Sequence, residues 1–165
     1  NMTHAVDAFL VRELNRRCNY DPEQLMYMDI LLNKYMYTPS LSTALHPMEQ
    51  LARNHNFISL QGIEHINEDN ILEFSQVYRS ELAAMITEIT SKPSFEMLFI
   101  HDEMKCHPNH VQNMRLVYRT ILAELADSSV GQQIIREVRN DNEYYLEKLD
   151  NNLGDEIMKG EYAIN

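Results

Sequence analysis

Between Phe99 and Gln112 the chain reads FIHDEMKCHPNHVQ, placing three histidines, one cysteine, one aspartate and one glutamate within fourteen residues. These are the side chains that hold zinc or iron and that move protons. Ligands on one helix must stand three or four residues apart to share a face. His101 has no candidate partner at that distance, since Met104 and Lys105 occupy the positions. Glu103 is matched by Cys106 and His107, and Cys106 by His110. Pro108 cuts across these pairs, because a proline pushes the residue before it out of the α region. Cys106 is then expected to end one helix, His107 to cap the next, and His110 to lie in its first turn. Asp102 and Glu103 would attract a cation without completing a site. The stretch therefore reads as a corner between two helices, and His101, Cys106, His107 and His110 are expected to bind no metal.

Other chemistries find less material. A di-iron bundle needs Glu-x-x-His pairs on inward-facing helices. The chain offers His46 before Glu49, in reverse order, and the adjacent Glu64 and His65. Nothing local supports a nucleophilic dyad at Cys18 or Cys106. No G-x-S-x-G, Walker loop, G-x-G-x-x-G or H-E-x-x-H occurs, and four glycines leave little for a phosphate-cradling loop. No catalytic residue, metal ligand or cofactor is assigned.

Charge narrows the partner class. Twenty-five acidic residues against 14 basic ones give −11, which disfavours a nucleic-acid backbone and allows a basic protein partner while equally serving solubility. The mix of 44% hydrophobic and 24% charged residues is that of a soluble globular protein, and 165 residues suit one domain over 2–165. Asn1 is expected to be a remnant of tag removal ahead of Met2. No run approaches 18 apolar residues, so no membrane contact is expected. Two cysteines without a leader-like start point to a reducing cytoplasm.

The elements that must position these residues are helical. Apolar spacing predicts helices over 3–18, 22–37, 47–56, 68–90, 93–105, 108–126 and 130–152, hence an all-α bundle of about six to seven helices. Pro22, Pro47, Pro93 and Pro108 read as helix starts, with Asp21, His46 and His107 as caps, whereas Pro39 ends the second helix. Ser129 and Gln132 suggest a capping box, Gly154 a stop, and 155–165 a short turn and frayed tail. Residues 56–67 read as an ordered connection, a single helical turn or a short strand pair. VYRSELAAM (77–85) echoes VYRTILAEL (117–125) at a spacing of 40, which shared composition explains and which a duplicated helical hairpin would also produce.

Leu25 to Tyr37, LMYMDILLNKYMY, is apolar nearly all round. Such a helix lies at the centre of a fold or forms half of an interface. The central position is expected, with Leu25, Ile30, Leu31 and Leu32 most protected. Of Tyr35 and Tyr37, and of Tyr144 and Tyr145, one ring each must face outward.

The reading that remains is a non-enzymatic acidic helical protein that binds a protein partner as adaptor, regulator or inhibitor, in the manner of small bacterial regulatory or antagonist proteins. A homodimer is the alternative partner. A small-molecule sensor bundle is the alternative function, followed by a metal-dependent enzyme centred on 101–110.

Overall fold

The computed structural model describes residues 2–100, 103–148 and 150–160. It is mostly helical. Among the described residues seven α-helices run in order: α1 (Met2–Cys18), α2 (Pro22–Lys34), α3 (Pro47–His55), α4 (Gln76–Thr90), α5 (Val111–Asp127), α6 (Val130–Arg139) and α7 (Leu153–Lys159). Short 3-10 turns occupy Leu60–His65, Ile71–Glu73 and Pro108–His110, and one antiparallel pair joins β1 (Met97–Ile100) to β2 (Glu103–Cys106).

Local chemistry sets the helix starts. Asp21 accepts from the backbone N–H groups of Glu23 and Gln24, at 2.9 and 3.3 Å, with Pro22 in the first turn. His46 Nδ1 accepts from Met48 N at 3.3 Å and starts α3 in the same way. Ser75 accepts from Tyr78 N at 3.1 Å. That cap moves the start of α4 to Gln76, so the helix expected from residue 68 is shorter. Ahead of it, Asn67 Oδ1 accepts from the N–H groups of Asp69 and Asn70, an Asx turn that competes with the helix.

The helix expected over 93–105 is instead the hairpin. Its residues alternate: Met97, Phe99, Met104 and Cys106 are half-buried, while Leu98, Ile100, Glu103 and Lys105 are exposed. The register pairs Met97 with Cys106 and Phe99 with Met104, so the inward residues share one face. Pro93 consequently lies in a linker and starts no helix.

The helix expected over 130–152 stops at Arg139. Asn140 adopts the left-handed conformation (φ 50°), and Asp141 N donates back to Arg136 O at 3.0 Å. Val138 and Tyr145, which helical spacing over 130–152 would place on one buried face with Leu149, are exposed, and Leu149 lies outside the described residues. Ser129 makes no capping bond. Ser128 Oγ accepts from Val130 N instead, and Gln132 donates to Tyr144 O, holding the returning chain. The turn expected at 155–159 is part of α7, and Gly154 lies inside it because a Cβ there would meet the Asp127 carboxylate at 2.3 Å.

Two apolar clusters form the interior. One gathers Leu25, Met28, Leu31 and Leu32 of α2 with Ile63, Phe74, Tyr78, Leu82 and Ile86. Gly62 is required here, since a Cβ would stand 2.5 Å from Tyr78 Oη. The other gathers Leu10, Leu14 and Cys18 of α1 with Phe57, Phe95, Met114 and Ile121. The two segments of the 40-residue echo pack differently at one matched position: Ile121 is fully buried in the second cluster, while Glu81, its counterpart, is half-buried and ion-paired to Arg53.

Buried charges tie the parts together. Glu13 of α1 accepts from Leu60 N (2.8 Å), Ser59 Oγ (2.6 Å) and Arg17 Nε (3.0 Å). Arg17 donates onward to both carboxylate oxygens of Glu124 (3.0 and 2.7 Å) and to Ile58 O (3.3 Å). Glu49 of α3 accepts from Ser75 N at 2.8 Å and from Ser75 Oγ. Arg79, fully buried, donates to the carbonyls of Tyr35 and Thr38, satisfying acceptors that the end of α2 leaves open.

Candidate functional site

The stretch that attracted attention in the sequence is occupied by structural duties. Cys106 ends β2 with its side chain half-buried. His107 Nδ1 accepts from Asn109 N at 3.3 Å, so His107 caps the turn leading into α5, as its place before Pro108 implied. His110 stacks on Phe95, with ring centroids 4.6 Å apart and planes parallel to within 1°. Glu103 is paired with Lys105 at 2.7 Å. His101 and Asp102 lie outside the described residues. Among the described residues, no three His, Cys, Asp or Glu side chains converge to hold a metal ion. The corner is thus strand-to-helix rather than helix-to-helix.

Neither cysteine is prepared to attack. Burial, with the Cys106 thiol nearby as a second cause, pushes the Cys18 thiol up to about 12. Burial also raises Cys106. A thiol held protonated is a poor nucleophile.

A different feature emerges on α2. Leu25, Met28, Leu31 and Leu32 turn inward and leave Glu23, Met26, Tyr27, Ile30, Asn33 and Lys34 along the opposite side, spaced by three and four residues. Met26 and Ile30 are each 61% exposed, and Tyr27 is 49% exposed. The expected protection of Ile30 is therefore wrong, and α2 is peripheral rather than central. Beyond its C-terminal end a groove opens between Asn33, Met36 and Tyr37 on one side and Gln76, Val77 and Ser80 on the other. Tyr37 (87%) and Val77 (60%) continue the apolar surface there. Asp21, Glu23 and Asp29 rim the face, and Lys34 is neutralised by Glu68 at 3.3 Å. Tyr35 packs inward and Tyr37 outward, and Tyr144 is half-buried while Tyr145 is exposed, as the pairs required.

A second feature is a cleft of about 280 Å³ between α4 and α5. Glu81, Met85 and Glu88 face it from α4, and Asn113, Val117 and Thr120 from α5. The buried Arg17 guanidinium closes its inner end. Sequence reading missed this cleft, because its two walls are separated by the hairpin and each looks like an ordinary mixed helix face. The signal present was the spacing 81, 85, 88 and 113, 117, 120, which places each set on one face.

Among the described residues no helix is long and apolar enough to cross a membrane. No protein-family model matches the chain, and no curated protein matches it in sequence.

Proposed function

We propose that this protein is a non-enzymatic interaction module that docks a protein partner on the outer face of α2. One observation carries the reading: Met26, Tyr27 and Ile30 stand in a row on a well-formed helix and are about half or more exposed. Contiguous exposed apolar side chains are costly to leave in water and mark interaction sites. Methionine and tyrosine are also enriched in interface cores. The acidic rim and the overall charge of −11 favour a partner whose apolar patch is ringed by Lys and Arg.

The test replaces Tyr27 with a photo-crosslinking amino acid in the intact chain and, in parallel, installs Met26→Glu with Ile30→Glu. Crosslinked peptides from a distinct protein, rich in Lys or Arg around an apolar segment and lost in the double variant, are the expected result. Crosslinks to this chain itself would replace the reading by a homodimer. Crosslinks spread over many proteins and unchanged by the double variant would remove it.

A further inference from the structure

The outer edge of the hairpin carries a separate inference. Opposed residues in an antiparallel pair alternate between those that exchange backbone hydrogen bonds and those whose N–H and C=O groups point away. Ile100 faces Glu103 across a two-residue connection, and such a connection closes on a bonded pair. Leu98 and Ile100 are therefore bonded to β2, while Met97 and Phe99 direct their N–H and C=O groups away from it. Phe95, of the same parity, shows the direction: its N–H leaves the hairpin and donates to Cys18 O at 2.8 Å. Past that bond the edge is open. Among the described residues no backbone group outside the hairpin bonds the backbone of Met97 or Phe99.

Open edges are ordinarily blunted by charge, by proline or by a bulge. β2 carries Lys105 and Glu103, paired with each other at 2.7 Å. β1 reads Met97-Leu98-Phe99-Ile100 and has no charge or proline. Its outward side chains, Leu98 and Ile100, are apolar and exposed. Two strands alone are marginal in water, and a third along this edge would complete a sheet. A row of unpaired backbone donors and acceptors is matched by another extended chain, and the side chains beside it set which chain fits. Ile100, Leu98 and Glu96 alternate along one face, two apolar residues and then an acidic one. Glu96 is exposed and takes no part in the ion pairs among the described residues. The chain's own charge of −11 disfavours a second copy here, since two like-charged bodies would have to meet.

We propose that β1 accepts an extended segment of a protein partner as an added antiparallel strand, with apolar residues facing Ile100 and Leu98 and a Lys or Arg facing Glu96. The site is independent of the α2 face. It requires no covalent step.

The probe is the peptide acetyl-Val-Thr-Val-Thr-Lys-amide, titrated into the intact protein and followed by amide and methionine-methyl spectra. Its first, third and fifth residues face Ile100, Leu98 and Glu96, and its second and fourth exchange hydrogen bonds with Phe99 and Met97. Saturable one-to-one binding is expected, with the Met97 methyl and the Phe99 amide shifted and the Met26 methyl unmoved. Methylating the backbone nitrogens of the second and fourth peptide residues should abolish binding, whereas methylating the third, whose N–H faces away, should not. Exchanging the peptide's Lys for Glu should weaken binding about fivefold, the size of one cross-strand charge pair, and Glu96→Lys should reverse that preference. Leu98→Lys, at an exposed position, should weaken binding and leave the melting temperature of the protein unchanged. Equal loss from methylation at the third residue, unchanged affinity in both variants, shifts at Met26 instead of Met97, or no saturable binding would overturn the proposal. So would a concentration-dependent dimer that Leu98→Lys dissolves, which would assign the edge to a second copy.

Discussion

His55 illustrates how a single side chain imposes a pH dependence on the whole fold. It sits in the last turn of α3, where a cation would ordinarily be welcome. Burial nevertheless lowers its pKa from the usual 6.5, with Glu137 opposing the shift. The unfolded chain therefore takes up the proton before the folded one does. The stability that neutral His55 contributes is fully present above about pH 6.5 and is lost as the pH falls below it. The melting temperature should drop between pH 7.5 and pH 5.5, and His55→Gln should flatten that slope. An identical slope in the variant would assign the acid sensitivity elsewhere. Other buried charges leave no mark in the sequence. Glu49 is 1% exposed yet reads in the sequence as one more surface carboxylate, because nothing local records that Ser75, twenty-six residues later, will need an acceptor.

At the scale of the element, α2 separates what pattern reading can and cannot reach. Leu32 is fully buried against the first apolar cluster, so Leu32→Ala should cost about 2–5 kcal/mol. Ile30 stands two residues away on the exposed side, and Ile30→Ala should stay within about 0.5 kcal/mol. Urea denaturation of the two variants measures both, and a large loss at Ile30 would place that residue in a core. The existence and start of α2 were legible because Asp21 and Pro22 act within one turn. Its buried side was not, since a helix apolar all round has no dominant stripe to choose a direction. The hairpin was missed for a related reason: four-residue strands give too short a run for alternation to outweigh the helical reading. Asn140 shows the converse, a residue read as an interior helical position whose left-handed conformation ends α6. For the candidate sites, the aromatic and methionine content of 25–37 raised an interface only as the alternative to the central position expected of α2, whereas the cleft depended on packing two distant helices.

The molecule as a whole is two apolar clusters joined through ionic contacts, and that arrangement decides how it should come apart. Glu13 stands on α1, part of the second cluster, yet two of its three hydrogen bonds reach Ser59 and Leu60, and Leu60 belongs to the first. Arg17 repeats the connection by binding Ile58 O together with Glu124 of α5. Removing Glu13 leaves the buried Arg17 Nε and the Leu60 N–H without acceptors, so Glu13→Ala should cost about 3–5 kcal/mol. That is a large fraction of the 5–15 kcal/mol that holds a typical domain together. Removing Arg17 as well should cost little more, because the unsatisfied Nε goes with it and Glu124, 38% exposed, is left in contact with water, so Glu13→Ala with Arg17→Met should sit close to Glu13→Ala alone. Additive losses from the two substitutions would show that each acts through separate contacts. A backbone bond also joins α3, whose Met48 and Ala52 pack on the first cluster, to the residue before Val130 of the second: Ser129 N–H donates to His55 O at 2.7 Å. With backbone as well as side chains crossing the boundary, the parent protein should unfold in one step, tyrosine fluorescence and far-ultraviolet circular dichroism reporting the same urea midpoint. In Glu13→Ala the ionic part of the junction is broken while both clusters keep their apolar contacts, so there the two probes should part. Coincident midpoints in that variant would mean that the backbone bonds alone couple the clusters.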